Sequence, residues 1–488
     1  MKVSTPAIYW VFFYSLLFGQ SVFAQPIDQH PDNPHYFLYQ GTPLVLVTSA
    51  EHYGAVIHQG FDYEKYLHTL ARLGLNHSRI FLGDYFEYPG AFGIMTNTLA
   101  PDSNQLIAPW QRSNEPGFKL GGNKFDLDRW NPAYFERLGD FMQQAAEQGV
   151  VVEVVLFFSC FIDDTSPFYG PNNINDLPAF SSLEYRTLAN EQLLQRQRAY
   201  CEKLVEFLNP YDNLIINIAN EPWFSNQIET AFASPPKIPT LEWIQEVSSW
   251  IVALEANLPK QHLLSVDFTN EGVEIPLDWD ATYFQHLSIY NHHYDADAES
   301  VIKNYDRIPK IFSFNETGVM ATSTPEYRFQ AWKYLMNGGA LYNNLDFTYQ
   351  VGDEDGHGTS LFSGGQSGYM GCTDHDVKYQ LARLLEFWQG LNFVDMIPGD
   401  NCISFEYGHL ETYGFYEAGE TYLVYFIGSG QPGAYLNMVD GKYRLEWLDP
   451  RTLQVLEEEE VMVENSFLNL AGPGFREDIV ALLRRVED

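Results

Sequence analysis

The stretch LIINIANEPW, residues 214–223, constrains the fold of this chain more than any other. It begins as an unbroken series of apolar and β-branched residues, which is typical of a strand buried on both faces of a parallel sheet. The series stops at Asn220, Glu221 and Pro222, and proline ends a strand because it has no N–H to donate. Polar residues at the carboxyl end of such a strand predict an α/β barrel, whose active-site face is built there.

A second stretch, KIFSFNETG at 310–318, repeats this pattern and carries Asn315 and Glu316 at its end. About 95 residues separate Glu221 from Glu316. This length suits three βα units of about thirty residues each. We therefore place the two glutamates on the fourth and seventh strands of one barrel.

The Asn-Glu-Pro signature at 220–222 and the later Glu316 resemble clan A of the glycoside hydrolases, the (β/α)8 retaining β-glycosidases. The resemblance implies that Glu221 is the general acid/base and Glu316 the nucleophile. Retaining cleavage needs two carboxyl groups about 5–5.5 Å apart, with different surroundings that separate their pKa values. A second Asn-Glu-Pro, at 114–116, follows no apolar run, so we expect Glu115 to be a loop residue.

The resemblance also suggests residues around the two glutamates. Arg79, in the predicted second strand (76–85), matches an arginine that such barrels carry near the nucleophile, where its charge would keep that carboxylate ionised. Asn220 would bind the 2-hydroxyl of the sugar. Further substrate-binding candidates are Glu51 and His52 at the end of the first predicted strand, which ends near Ser49–His52, Trp223 after the fourth, and Asp346 within the eighth (338–350).

The predicted sixth strand, HLSIYNHHYD at 286–295, offers a histidine and a tyrosine. Clan A enzymes commonly place both here, with the tyrosine hydroxyl on the nucleophile. His293 and Tyr294 are the candidates, and His292 is the alternative to His293. Adjacent histidines point to opposite faces of a strand, so they do not suggest a shared metal ion. On the eighth strand, Asp346, Phe347 and Tyr349 stand where the family usually presents a tryptophan.

Between the strands, apolar residues with helical spacing predict helices. One covers 61–74 and ends at Gly74, another covers 130–149 with Asn131 as its N-cap, and a third covers 183–208. From about Ile397 the chain changes to short alternating runs separated by turn residues, which predict a β-sandwich. The expected fold is α/β: a TIM barrel at 25–395 and a small all-β sandwich at 396–488.

Residues 1–24 are expected to be a secretory signal peptide. The apolar run AIYWVFFYSLLFG follows Lys2, and Val22 and Ala24 occupy the small-residue positions of a cleavage site before Gln25. The run is short for a membrane span, although an uncleaved anchor is the alternative. No later stretch reaches 18 apolar residues, so we expect a secreted or periplasmic protein without membrane insertion.

The net charge of the chain indicates which classes of binding partner are disfavoured. Lys and Arg number 28 and Asp and Glu 64, a formal net charge of −36, which disfavours nucleic acid and anionic membranes as partners. A carbohydrate is the expected partner. Four cysteines permit disulfides, with Cys372 and Cys402 as one conceivable pair, and their spacing fits no metal site, so no cofactor is expected. The oligomeric state is open.

Together these features predict a secreted retaining glycoside hydrolase. Two alternatives remain at this stage. A transglycosylase would use the same residues and differ only in whether a sugar or water takes the intermediate. A non-catalytic carbohydrate-binding protein on the same barrel is the other, and the intact pair of Glu221 and Glu316 argues against it.

Overall fold

The computed structural model describes residues 25–49, 53–91, 94, 96–158, 160–222, 237–269, 275–293, 299–317, 324–345, 348–358, 376–406 and 410–486. The strands are β1 (Asp28–Gln29), β2 (Phe37–Tyr39), β3 (Thr42–Leu44), β4 (Leu46–Val47), β5 (His77–Phe81), β6 (Trp110–Pro116), β7 (Asn123–Trp130), β8 (Val151–Phe157), β9 (Leu214–Ala219), β10 (Leu263–Thr269), β11 (Ile289–His293), β12 (Ile311–Thr317), β13 (Leu341–Asn344), β14 (Ile397–Pro398), β15 (Ile403–Glu406), β16 (Glu411–Glu417), β17 (Thr421–Gly430), β18 (Gly433–Asn437), β19 (Gly441–Leu448), β20 (Val455–Val463), β21 (Phe467–Ala471) and β22 (Phe475–Arg485). The helices are α1 (Tyr63–Leu73), α2 (Pro132–Glu147), α3 (Ser182–Tyr185), α4 (Glu191–Leu208), α5 (Ile238–Glu255), α6 (Leu277–Tyr283), α7 (Glu299–Tyr305), α8 (Thr324–Met336) and α9 (Val377–Gln389), with short 3₁₀ turns at Gly170–Asn172 and Asp400–Cys402.

Eight parallel strands form the barrel, in the order β4-β13-β12-β11-β10-β9-β8-β5. The two ends of this order are joined by Asn76. Its side chain accepts a hydrogen bond from Val47 N and donates one to Val45 O, both at 2.9 Å, and its backbone N–H reaches Val47 O at 3.3 Å. The predicted TIM barrel is confirmed, and β9 and β12, which carry the two glutamate motifs, are its fourth and seventh strands.

Local sequence signals set most helix ends. The Asp62 side chain accepts a hydrogen bond from Lys65 N at 3.0 Å to start α1, and Gly74, with φ of 87°, ends it as predicted. Asn131 stands at the N-cap position of α2, but its side chain makes no cap and bonds Ala108 O instead. The helix predicted over 183–208 is two helices, because Asn190 caps a new start at α4.

The insertion between β5 and α2 contains a hairpin. Strands β6 and β7 pair antiparallel, and the guanidinium of Arg112 lies 3.9 Å from the ring centroid of Phe125. Glu115 is exposed within β6, so its prediction as a loop residue was wrong. The pairing that makes this strand comes from β7, and the local sequence carries no apolar signal for it.

Two antiparallel sheets follow the barrel, with the orders β14-β16-β17-β22-β19-β20 and β15-β18-β21. Alternate residues of β17 serve two cores. Tyr422, Val424 and Phe426 pack between the two sheets, whereas Leu423, Tyr425 and Ile427 belong to the core shared with the barrel. The predicted C-terminal sandwich is confirmed, and its larger sheet packs directly on the barrel.

A buried ion pair joins the sandwich to the barrel. Arg328 of α8 is 1% exposed and donates to both carboxylate oxygens of Asp478 in β22 at 2.8 Å. Tyr425 donates to the same carboxylate at 2.8 Å and stacks on Trp332 of α8, with ring centroids 5.3 Å apart. The interface therefore combines aromatic packing with a bidentate charge contact.

Two predictions concern segments beyond these elements. Residues 1–24 and Cys372 lie outside the described residues, so the signal peptide and the suggested disulfide are not tested. Within the described segments, no helix has the length and apolar character needed to cross a bilayer.

Replacing Arg328 with methionine is expected to lower the free energy of unfolding by about 3–5 kcal/mol, because Asp478 would stay buried without its cation. Urea-induced unfolding followed by tryptophan fluorescence measures this change. Arg383→Met, which removes an exposed pair with Glu386, is the matched control and should change the free energy by less than about 1 kcal/mol. Equal effects of the two substitutions would contradict the interface described above.

Candidate active site

The two strand-end glutamates meet at the carboxyl end of the barrel. Carboxylate oxygens of Glu221 and Glu316 and a ring nitrogen of His293 all lie within 4.8 Å of one another. The two glutamates are only 3% and 6% exposed. Side chains that are 95 positions apart in the sequence therefore share one buried space.

Both glutamates have left-handed backbone conformations, with φ of 46° at Glu221 and 51° at Glu316. Neighbouring side chains of a regular strand point to opposite faces, so an Asn-Glu pair could not otherwise direct both side chains to the barrel mouth. The β12–β13 pairing is irregular between Phe314 and Thr317, which re-aims Glu316. The left-handed backbone of Glu221 itself therefore sets the direction of its side chain.

Hydrogen bonds hold the strained backbone of Glu221 on both sides. Its N–H donates to Asp267 Oδ2 at 3.1 Å, and its carbonyl accepts from Arg186 Nη1 at 3.0 Å. The thiol of Cys160 lies 3.9 Å from Oε2 of its carboxylate. Since a left-handed non-glycine residue costs about 1–2 kcal/mol, these contacts are what keep the side chain in place.

Arg79 bridges the two Asn-Glu pairs. Its Nη1 lies 3.3 Å from Glu316 Oε1, and its Nη2 donates to Asn220 Oδ1 at 2.7 Å. The guanidinium is buried, with 1% exposure, and also contacts Asp267. The structure thus brings Arg79 and Asn220, both expected near the site, to the same cluster as the two glutamates.

A tyrosine hydroxyl contacts the same oxygen of Glu316 as Arg79 does. Tyr53 donates to Glu316 Oε1 at 2.8 Å and accepts from Arg79 Nη1 at 3.1 Å. It follows the first barrel strand, and Gly54 lets its loop pack closely, since a Cβ there would lie 1.9 Å from Thr98 O. Tyr53 was not among the site residues predicted from the sequence, because it falls one residue beyond His52, the last residue of the predicted strand.

His293, and not its neighbour, faces the site. Its Nε2 lies 3.1 Å from Glu316 Oε2, and its Nδ1 contacts Asn315. His292 points to the opposite face of β11, where its Nδ1 lies 3.1 Å from the hydroxyl of Tyr334. The alternation of side chains along a strand explains the difference.

Charge compensation decides the protonation states here. Burial alone would raise the pKa of Glu316, but the neighbouring His293 and Arg79 outweigh burial and leave that pKa below its usual value. Burial would lower the pKa of His293, yet Glu316 and Asp267 raise it to about 9. At neutral pH the site therefore pairs an ionised Glu316 with a protonated His293.

These charges also bear on metal binding. In the part of the chain that the structure describes, Glu221, His293 and Glu316 are the one group with metal-ligand spacing. A histidine ligates through a neutral ring nitrogen, whereas His293 is protonated, and Arg79 already neutralises Glu316. The donor set suits proton transfer and nucleophilic attack better than it suits a cation.

A further buried carboxyl lies close to this cluster. Glu87, at the start of the long insertion, accepts hydrogen bonds from Tyr85 at 2.9 Å and from Asn97. Burial raises its pKa to about 7, and the charge of Glu316 adds to that shift. Glu87 was not among the site residues predicted from the sequence.

Five further residues predicted from the sequence lie outside the described residues: Glu51, His52, Trp223, Tyr294 and Asp346. Tyr349, considered for the floor of the sugar site, is buried against Tyr66 of α1, with ring centroids 5.4 Å apart.

The raised pKa of His293 couples stability to pH. A histidine whose pKa rises from 6.5 to about 9 on folding contributes stability that is fully present below pH 6.5 and lost as the pH rises through 9. We expect the stability margin of the wild type over His293→Gln to shrink by about 3 kcal/mol between about pH 7 and pH 10. Urea unfolding at each pH measures that margin.

His292→Gln is the matched control for this experiment. Burial lowers the pKa of His292 to about 4, so this residue is neutral throughout the tested range. The margin of the wild type over His292→Gln should therefore stay constant. A constant margin for His293→Gln as well would show that His293 carries no charge in the fold.

Comparison with known proteins gives matches by structure alone. No protein-family model matches the chain, and no curated protein matches its sequence. A solved glycoside hydrolase matches with a TM-score of 0.61 and 12% identity, covering 94% of this chain and 97% of that chain. A glycoside hydrolase family 5 protein from Bacteroides vulgatus ATCC 8482 matches with a TM-score of 0.62 and 11% identity, covering 94% and 93%.

A second protein of that organism, a proposed glycoside hydrolase, has a TM-score of 0.65 and 14% identity, with 95% of this chain and 83% of that chain covered. At such identities the likeness establishes the fold. The resemblance drawn from the strand-end motifs is confirmed at that level: this chain shares its barrel and C-terminal β module with solved glycoside hydrolases.

Proposed function

We propose that this protein is a glycoside hydrolase that cleaves β-glycosidic bonds of an oligo- or polysaccharide with retention of configuration. The observation that carries the proposal is the spacing of the carboxyl groups. Oxygens of Glu221 and Glu316 lie within 4.8 Å, which fits the separation of about 5–5.5 Å in retaining enzymes and not the 6.5–9.5 Å of inverting ones. The fold shared with solved glycoside hydrolases supports it.

In the first step Glu316 attacks the anomeric carbon. The bond to the glycosidic oxygen breaks, and Glu221 gives its proton to that oxygen, so the leaving sugar departs as an alcohol. Glu316 suits this role because His293, Arg79 and Tyr53 all contact its carboxylate and favour the ionised form. The product of this step is a covalent glycosyl-enzyme.

In the second step Glu221, now ionised, takes a proton from water while the water oxygen attacks the anomeric carbon. The bond to Glu316 breaks and its carboxylate is restored. Asn220 would bind the 2-hydroxyl of the sugar. Its side-chain oxygen is taken by Arg79, whereas its amide nitrogen has no acceptor among the described residues and can donate to substrate.

Export belongs to the same proposal. The N-terminal segment with the features of a signal peptide supports a secreted or periplasmic enzyme that meets carbohydrate outside the cytoplasm. A transglycosylase would form the same intermediate and pass it to a sugar in place of water. In the proposed reaction, water accepts the glycosyl group.

Replacing Glu316 with alanine should lower cleavage by about 1,000-fold or more, because no group remains to form the intermediate. Added azide should restore turnover and yield a glycosyl azide of α configuration, since the small anion attacks once from the vacated side. The wild type should release the β anomer first. Proton NMR of the products of a panel of 4-nitrophenyl β-glycosides and of plant and microbial glycans measures both.

Glu115→Ala provides the matched control, because Glu115 also follows an asparagine, as Glu316 does, but is exposed in β6. It should retain wild-type activity. Hydrolysis by Glu316→Ala at the wild-type rate, or a wild-type product that first appears as the α anomer, would refute the assignment. A wild type that binds these glycans without cleaving them would favour the carbohydrate-binding alternative.

A further inference from the structure

Asp267 lies in β10, inside the barrel, and is fully buried. Its carboxylate contacts groups that hold both glutamates of the site. We propose that Asp267 is a positioning residue that fixes Glu221 and Glu316 relative to each other. As a statement about catalysis, this inference rests on the proposed function.

The first contact fixes Glu221. Asp267 Oδ2 accepts the backbone N–H of Glu221 at 3.1 Å, at the residue whose φ is 46°. A hydrogen bond from the backbone N–H to a buried carboxylate stabilises a conformation that an L-residue otherwise avoids. Without this acceptor the backbone would relax, and the Glu221 carboxyl group would move away from the leaving oxygen.

The second set of contacts fixes Glu316 through its two cations. Arg79 Nη2 lies 3.3 Å from both carboxylate oxygens of Asp267, while Nη1 reaches Glu316. His293 Nδ1 lies 3.5 Å from Asp267 Oδ2, while Nε2 reaches Glu316. Each cation is therefore held between the two carboxylates. Asp267 keeps its charge while Glu316 is bonded to the sugar in the intermediate.

The third set of contacts fixes Asp267 itself. Its Oδ1 accepts from the side-chain amides of Asn217 and Asn291 at 3.1 Å and of Asn315 at 3.2 Å. Asn217 and Asn291 donate also to Glu153 Oε1, at 2.8 and 2.9 Å. A carboxylate hydrogen-bonded to residues of three other strands, β9, β11 and β12, is held in one orientation, so it can fix the residues that it contacts.

Asp267 could instead serve stability alone, and charge removal separates the two roles. Asp267→Asn keeps the shape and one acceptor oxygen but removes the charge that His293 feels. Facing His293 and Glu316 are several charged or titratable groups, all retained in this variant: Tyr53, Glu87, Arg79 and Glu221. A change in His293 titration then reports the loss of Asp267 in particular.

The first measurement is the pH titration of the His293 imidazole by NMR in wild type and Asp267→Asn, with the His293→Gln spectrum giving the assignment. We expect the pKa of His293 to fall by about 1 or more pH units from about 9, since an opposite charge at this distance shifts a pKa by about 1–3 units. Asp84→Asn, another buried aspartate, is the control and should leave it unchanged. An unchanged pKa in Asp267→Asn overturns the proposal.

The second measurement compares leaving groups on the sugar that the wild type hydrolyses fastest. Phenol needs a proton to depart and 2,4-dinitrophenol does not. If Asp267 positions Glu221, then the loss of kcat/KM in Asp267→Asn relative to the wild type should be at least about 10-fold larger on the phenyl glycoside than on the 2,4-dinitrophenyl glycoside. Equal losses on both substrates would show that the Glu221 contact is only structural and would overturn that half of the proposal.

Asp267→Glu keeps the proposal testable if Asp267→Asn does not fold. It retains the charge but displaces the carboxylate, so the pKa of His293 should stay raised while the leaving-group dependence steepens. An unaltered leaving-group dependence in this variant counts against positioning. A wild type without glycosidase activity would refute the proposed function, whereas the His293 titration would still show whether Asp267 sets the charge of this site.

Discussion

The buried guanidinium of Arg79 requires anionic and polar side chains inside the barrel. Burial lowers the pKa of Arg79, but Asp267 and the other anions around it hold that pKa well above the usual arginine value, so the guanidinium keeps its proton. The fold must therefore surround it with anions and acceptors. Four strands supply them, through Glu153, Asn220, Asp267 and Glu316. A closed parallel barrel suits this task, since every strand sends alternate side chains into the same space. The cluster of polar residues at the barrel mouth follows from that requirement, and His293 together with Arg79 lowers the pKa of Glu316 and keeps it ionised.

The active site departs from the regular alternation of side chains along a β-strand. An asparagine and a glutamate that are adjacent on a strand cannot both face the mouth unless the backbone leaves the extended conformation. Glu221 and Glu316 both do so, at a cost of about 1–2 kcal/mol each. Backbone strain of this kind persists only where surrounding contacts stabilise it. Here Asp267 and Arg186 form hydrogen bonds with the backbone N–H and carbonyl of Glu221. The hydrogen bonds that hold the backbone of Glu221 therefore also direct its carboxyl group into the active site.

The sequence predicted the parts of this structure that depend on local patterns. Apolar runs gave the barrel strands, Gly74 ended α1, and alternation along β19 indicated the sandwich. Contacts between segments that are far apart in the sequence could not be predicted from local patterns. Tyr53 reaches Glu316 from a loop, and the strand that holds Glu115 exists because β7 pairs with it. Asp267 did leave a signal, an acid within the apolar run LLSVDFT, but a lone charge in a strand does not reveal which partners surround it.

The central claim is that Glu316 is an ionised nucleophile held within reach of an anomeric carbon. Reaction with a 2-deoxy-2-fluoro-β-glycosyl fluoride of the preferred sugar tests it most directly, because the fluorine slows hydrolysis of the intermediate and lets it accumulate. Peptide mass mapping after this reaction should find one added fluoroglycosyl group on the peptide that contains Glu316. A label on another carboxylate, or full turnover with no labelled peptide, would contradict the account.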